Sequence, residues 1–179
     1  VDWLEARPEV LLAFEPGTLQ IARGAEQLDR LFRRSSVVVC NRGEAATLTG
    51  EHPGADPAVL LGRMLSLGPE QVVITDGPAG AYGSDGFVHL AVPMFPDDAP
   101  VADRTGAGDA FASTLVAAPA SGLALDEARA RAPVNSMRVV QQVGSQSGLL
   151  DDVTLEALLA GWPDGFRVRE LMRSPGPRL

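Results

Sequence analysis

The feature that most constrains this chain is an alternation of short, β-branched apolar runs with stretches whose apolar residues recur at helical spacing. Val37-Val38-Val39-Cys40 and Val72-Val73-Ile74-Thr75 show no polar alternation, as expected of parallel strands covered on both faces. Val10-Leu11-Leu12-Ala13-Phe14 is a further apolar run, stopped by Pro16-Gly17, and predicts a buried strand followed by a turn. Between these runs Leu28, Leu31 and Phe32 mark one helix face, with Arg30, Arg33 and Arg34 towards water. Leu60, Leu61, Met64 and Leu65 mark a second such face. This order of elements predicts a three-layer α/β sheet with helices on both sides. In such sheets ligands sit at the carboxyl ends of the strands.

Further along, Ala81-Tyr82-Gly83 and Val88-His89-Leu90 flank Ser84-Asp85-Gly86, which predicts a hairpin at a sheet edge. Beyond the Pro-rich link from Pro93 to Pro100, Ala107, Ala110, Phe111, Thr114, Leu115 and Ala118 trace one face of a helix. Asp126 to Val140 and Leu155 to Leu159 predict more helices, the first interrupted by Pro133. The Arg-, Gly- and Pro-rich stretch 163–179 reads as an irregular tail. At 179 residues and 45% apolar composition, the length suits one domain, here residues 1–162.

Charge and composition remove several function classes. Lys plus Arg number 15 against 23 Asp plus Glu, a net charge of −8 with no basic run, which disfavours nucleic acid and anionic membranes as partners. No apolar run approaches the roughly 18 residues of a membrane span. Cys40 is alone and cannot form an internal disulfide, and with only His52 and His89 no Cys/His metal cluster can be built. These features, with no signal core, predict a cytoplasmic protein. The chain opens at Val1-Asp2-Trp3 without an initiator Met and reads as starting inside a longer protein.

The strongest local chemistry lies in Asp103-Arg104-Thr105-Gly106-Ala107-Gly108-Asp109-Ala110-Phe111, where two glycines lead into an apolar-faced helix. Amides at such a helix start, aided by the helix dipole, stabilise the charge of a transferring phosphoryl group. Asp109 is either the acceptor of a proton from an attacking hydroxyl or an acid favourably placed in a helix's first turn. Thr75-Asp76-Gly77-Pro78-Ala79-Gly80 follows a buried strand, at a ligand position or simply in a Gly-rich turn. Asn41 and Glu44 are spaced either to hold the water shell of Mg²⁺ or to form a capping box. Asp103 and Thr105 offer oxygens to a cation or to a local cap. Cys40 is expected to pack rather than react. The chain has no Walker phosphate loop, no dinucleotide fingerprint and no zinc-protease helix. Gly144-Ser145-Gln146-Ser147-Gly148 has Gln where a nucleophile elbow needs Ser.

Asp103 to Phe111 resembles the carboxyl-terminal signature of the ribokinase-like, or PfkB, carbohydrate kinases, with Arg104 where that family usually has Thr. The likeness extends through Phe14-Glu15-Pro16-Gly17, Asn41-x-x-Glu44, Thr75-Asp76-Gly77-Pro78-x-Gly80, Asn135 and Gly144. It implies a three-layer α/β/α ribokinase-like fold in which this chain is the nucleotide-side part, the amino-terminal half and its lid lying outside it. By resemblance, Asp109 is the base, the amides of Gly106, Ala107 and Gly108 hold the transferred phosphate, and Asn41 and Glu44 organise Mg²⁺ through water. Thr75, Gly77 and Gly80 match the segment lining ATP, Asn135 a residue near the adenine, and Asp103 and Thr105 a loop associated with a monovalent cation such as K⁺. The implied activity is transfer of the γ-phosphoryl group of ATP to a hydroxyl of a sugar or nucleoside, by a protein that can form a homodimer. The alternative is a nucleotide-binding fragment or degenerate homologue without catalysis. Glu15 stands where the family often has Asn, which would bring a carboxylate near phosphate.

Overall fold

The computed structural model describes residues 1–120, 122, 125–163 and 167–173. The strands are β1 (Ala13–Phe14), β2 (Val37–Asn41), β3 (Val72–Thr75), β4 (Ala81–Ser84), β5 (Val88–Val92) and β6 (Arg169–Arg173), in one sheet in that order. The helices are α1 (Asp2–Glu5), α2 (Thr18–Ile21), α3 (Asp29–Arg34), α4 (Arg42–Thr49), α5 (Pro57–Leu65), α6 (Ala107–Ala120), α7 (Leu125–Val140) and α8 (Asp152–Ala160). Pairing is parallel across β1, β2 and β3 and antiparallel between β3 and β4, so the sheet is mixed. Where the length alone suggests one domain, the described residues divide into two compact units: those within 1–76, 81–91 and 170–173, and those within 77–80 and 92–169.

The first unit holds the sheet. Val38 and Cys40 of β2, with Val72 and Ile74 of β3, pack against Phe32 of α3, Ala45, Ala46 and Leu48 of α4, and Leu60, Leu61 and Met64 of α5. Val39 and Val73, which alternate with them, are also buried, as the absence of polar alternation predicts. Asn41 ends β2 and caps α4 in one step, Asp56 caps α5 ahead of Pro57 at its first turn, and Gly50 closes α4 in the left-handed conformation.

The second unit is built on α6 and α7. Its core joins Phe95, Val134 and Met137 to Met94, Leu150, Leu158, Leu159 and Trp162. Phe95 and Trp162 meet edge to face at 5.4 Å.

Several expectations are corrected. The first strand is only Ala13–Phe14 and not the whole run from Val10. Arg34 does not point to water, because it donates to the carbonyls of Leu4, Arg7 and Val10 and ties the first residues to α3. The β4–β5 hairpin exists, but β6 lies outside it and forms the edge. That same strand runs through the stretch expected to be irregular. Pro133 sits buried inside an unbroken α7, since its missing N–H removes a single rung while both helix turns around it stay packed. Residues 164–166 and 174–179 of the expected tail, and the side chains of Ala118 and Asp126, lie outside the described residues.

Candidate active site

In the first unit the parallel register sets Asn41 beside Thr75 at the carboxyl ends of β2 and β3. Asn41 Oδ1 accepts from the Glu44 amide at 2.9 Å, and Glu44 Oε2 accepts from the Asn41 amide at 2.8 Å. The capping box is therefore formed. It leaves Glu44 Oε1 and a lone pair of Asn41 Oδ1 outside the cap, an all-oxygen set that fits magnesium held through its water shell. Cys40 is buried beneath them; burial pushes its thiol up to about 12, and the charges of Glu44 and Glu15 add to the shift. A thiol so protonated is packing material and not a nucleophile.

In the second unit Gly77–Ala79 form a single 3₁₀ turn closed by the Gly80 amide on the Gly77 carbonyl at 3.0 Å. A Cβ on Gly80 would lie 2.1 Å from the Val92 carbonyl oxygen, so this glycine is required by close backbone approach. Gly77 has φ +52° and open space around its Cα.

Asp103 organises the signature. Its Oδ1 accepts from the Thr105 amide at 2.9 Å and the Thr105 hydroxyl at 2.8 Å, and its Oδ2 from the Gly144 amide at 3.0 Å. These donors, the Thr105 amide first, hold its carboxyl below the usual range. The local cap is thus present. Gly106 has φ +82°, and a Cβ there would lie 2.6 to 2.8 Å from Cβ, Cα and O of Ser145.

At the start of α6 the Ala107 amide donates to the Arg104 carbonyl at 3.3 Å. The three-amide cradle expected from the sequence is therefore incomplete: this N–H is already engaged, although by a long bond. Among the described residues no protein acceptor takes the amides of Gly106, Gly108 or Asp109, since the next backbone bond runs from Ala110 to Gly106. Asp109 is exposed in this turn, beside those amides.

Asn135 comes from α7. It is buried there, where Nδ2 donates to Thr114 Oγ1 at 2.8 Å and Oδ1 accepts from the Leu150 amide at 3.0 Å. It braces α6 and the approach to α8, with both ends of its amide occupied by protein.

Sequence reasoning missed Gly144 and Ser145 as the partners of Asp103 and Gly106, and Ser136, whose hydroxyl donates to the Ala107 carbonyl at 2.9 Å. These pairings join residues about 30 to 40 positions apart, and no local spacing signals them.

The model of the pfkB family of carbohydrate kinases matches residues 12–152. The chain belongs to this family. Among pfkB relatives it is 31% identical, over 148 residues, to a bifunctional ribokinase/ribose-5-phosphate isomerase A of Fructilactobacillus sanfranciscensis, covering 79% of this chain and 26% of that protein. Among solved structures it is similar to Arabidopsis thaliana ribokinase complexed with ribose and ATP, with TM-score 0.77 and 22% identity, over 87% of this chain and 50% of that one. It is also similar to a putative ribokinase II from E. coli in complex with ATP and Mg²⁺, with TM-score 0.72 and 21% identity, over 86% and 49%. These likenesses show the fold, a three-layer α/β/α sheet of ribokinase type. This pfkB chain spans about half the length of those solved structures and about a quarter of that curated relative. Among the described residues no helix is long and apolar enough to cross a membrane.

Proposed function

We propose that this chain is the carboxyl-terminal, nucleotide-side part of an ATP-dependent phosphotransferase acting on a hydroxyl of a sugar or nucleoside. The observation that carries the reading is the start of α6, where an exposed Asp109 stands beside Gly106 and Gly108 amides that no described protein group accepts. Family membership and the ATP, Mg²⁺ and ribose of the solved relatives support it.

In this reading Asp109 takes the proton of the acceptor hydroxyl as its oxygen bonds to the γ-phosphorus. The bond from that phosphorus to the bridging oxygen breaks, and its electron pair leaves with ADP. The amides of Gly106 and Gly108 and the dipole of α6 stabilise the charge on the equatorial oxygens, while Ala107 holds the turn through Arg104. Magnesium, when bound, neutralises phosphate oxygens, and Asn41 and Glu44 would hold its waters. Thr75 and Gly77 line the phosphate and ribose side, Gly80 lets the turn pack closely, and Asn135 braces the adenine side. Asp103 and Thr105 shape the loop that would hold a monovalent cation such as K⁺.

The test is ATP titration by calorimetry with and without Mg²⁺, followed by ADP release against a panel of sugars and nucleosides. Asp109→Asn should lower transfer by about 10²–10⁴-fold and leave the Kd for ATP unchanged. Unchanged turnover eliminates the base assignment. A second reading, nucleotide binding without transfer, draws on the half-length coverage of the solved relatives. It is selected if ATP binds and no acceptor supports turnover.

A further inference from the structure

Asn41 and Thr75 are register partners at the ends of parallel strands, and each is followed at once by a charged residue. Arg42 Nη1 donates to Asp76 Oδ2 at 2.6 Å, and Arg42 Nη2 donates to the Ala55 carbonyl at 2.8 Å. The two side chains are 28% and 20% exposed, so solvent screens this pair less than the exposed ion pairs elsewhere in the unit. Arg42 Nε is buried with no acceptor among the described residues, so only the terminal nitrogens aim the guanidinium.

The placement breaks a local rule. Arg42 is the first residue of α4, where the helix dipole disfavours a cation and favours an acid. A cation kept at such a position needs a tertiary reason, and the structure supplies Asp76. The planar fork of Arg also reaches two acceptors at once, on the segment after β3 and on the segment between α4 and α5, which a single ammonium does not.

Resting on the reading of Asn41 and Thr75 as nucleotide-side residues, we propose that the Arg42–Asp76 pair is a clamp that positions them for Mg·ATP. Strand ends fray because their last residues lack ladder partners beyond them, and binding groups must be held to about 0.5 Å. Locking the residue after Asn41 to the residue after Thr75 fixes both ends together. Arg42 and Asp76 are positioning residues and touch no phosphate in this scheme.

The experiment compares Arg42→Ala, Arg42→Lys, Asp76→Asn and the Arg42→Ala/Asp76→Asn double variant. Calorimetry gives the Kd for ATP with and without Mg²⁺, native amide exchange gives local opening, and thermal melting reports the fold. The clamp predicts that Arg42→Ala weakens Mg·ATP binding about 10–100-fold, the range typical of residues that orient ligating groups. Arg42→Lys recovers part of this, and the double variant is no weaker than Arg42→Ala. Exchange quickens at 41–44 and 75–76 while Val39 and Val73 stay protected.

A lower melting temperature with unchanged Kd and unchanged exchange at the strand ends overturns the clamp and leaves a merely structural ion pair. If Arg42→Ala does not fold, Arg42→Lys and Asp76→Asn decide by the same measurements. If the unaltered chain binds no Mg·ATP, the nucleotide reading fails. The exchange data then decide the clamp alone: unchanged exchange overturns it, and opening confined to the strand ends sustains it.

Discussion

Replacing Gly106 by Ala tests whether the signature glycine is there for its backbone conformation alone or also for close approach to the following loop. At φ +82° any side chain costs about 1–2 kcal/mol, because Cβ crowds the next carbonyl. The new methyl would also meet Cβ, Cα and O of Ser145 at 2.6, 2.7 and 2.8 Å. Two of these atoms are backbone, so no rotamer change relieves them, and such overpacking typically costs about 1–3 kcal/mol more. The sum, about 2–5 kcal/mol, is a large share of the roughly 5–15 kcal/mol that holds a domain together. Gly144→Ala in the same unit is the control: φ is +94° but the nearest atom is Ser147 Oγ at 3.7 Å, so only the conformational cost applies. Urea unfolding in a Trp3→Phe background lets Trp162, packed on Phe95 in this unit, report the transition. Gly106→Ala should cost about 1–3 kcal/mol more than Gly144→Ala. Equal costs, within about 0.5 kcal/mol, would refute the packing argument and leave only backbone conformation.

The depressed Asp103 carboxyl has a pH consequence. Its folded value lies below the usual 3.8, so its contribution to stability is complete above that value and is lost as pH falls through the folded value. Asp103→Asn should flatten the acid limb of a stability-against-pH profile below about pH 4, and an unaltered limb would show that the turn does not discriminate the charged form. Cys40, with its thiol pushed up to about 12, should resist a thiol reagent at pH 8 in the folded protein and react promptly in urea. Rapid labelling of the native chain would mean that β2 opens far more readily than its burial implies.

Much of the candidate site was readable in one dimension because its parts are local. Asn41 and Glu44 meet across one turn of α4, and Asp103 and Thr105 across one bend, so spacing alone announced both. In each case the capping alternative is the one that the hydrogen bonds display, and at Asn41 and Glu44 it leaves oxygens over for a ligand. The Ala107 amide shows the limit: its bond to Arg104 depends on how tightly the loop turns, which glycine spacing does not specify. For Asn135 the resemblance supplies a position near the adenine, whereas its two hydrogen-bond partners, Thr114 and Leu150, come from distant parts of the chain and no local spacing signals them.

By itself the sequence determined the sheet, the helices beside β2 and β3, and the family, since hydrophobic period, capping residues and ordered motifs act over a few positions. Only tertiary structure decided that β6 closes the edge beyond the hairpin, that Arg34 gathers the opening residues, that Gly144 and Ser145 shape the signature loop, and that Arg42 finds Asp76. Each of those joins residues far apart along the chain. Such pairings cost loop-closure entropy that no local propensity encodes, and they become visible only once the chain has met itself.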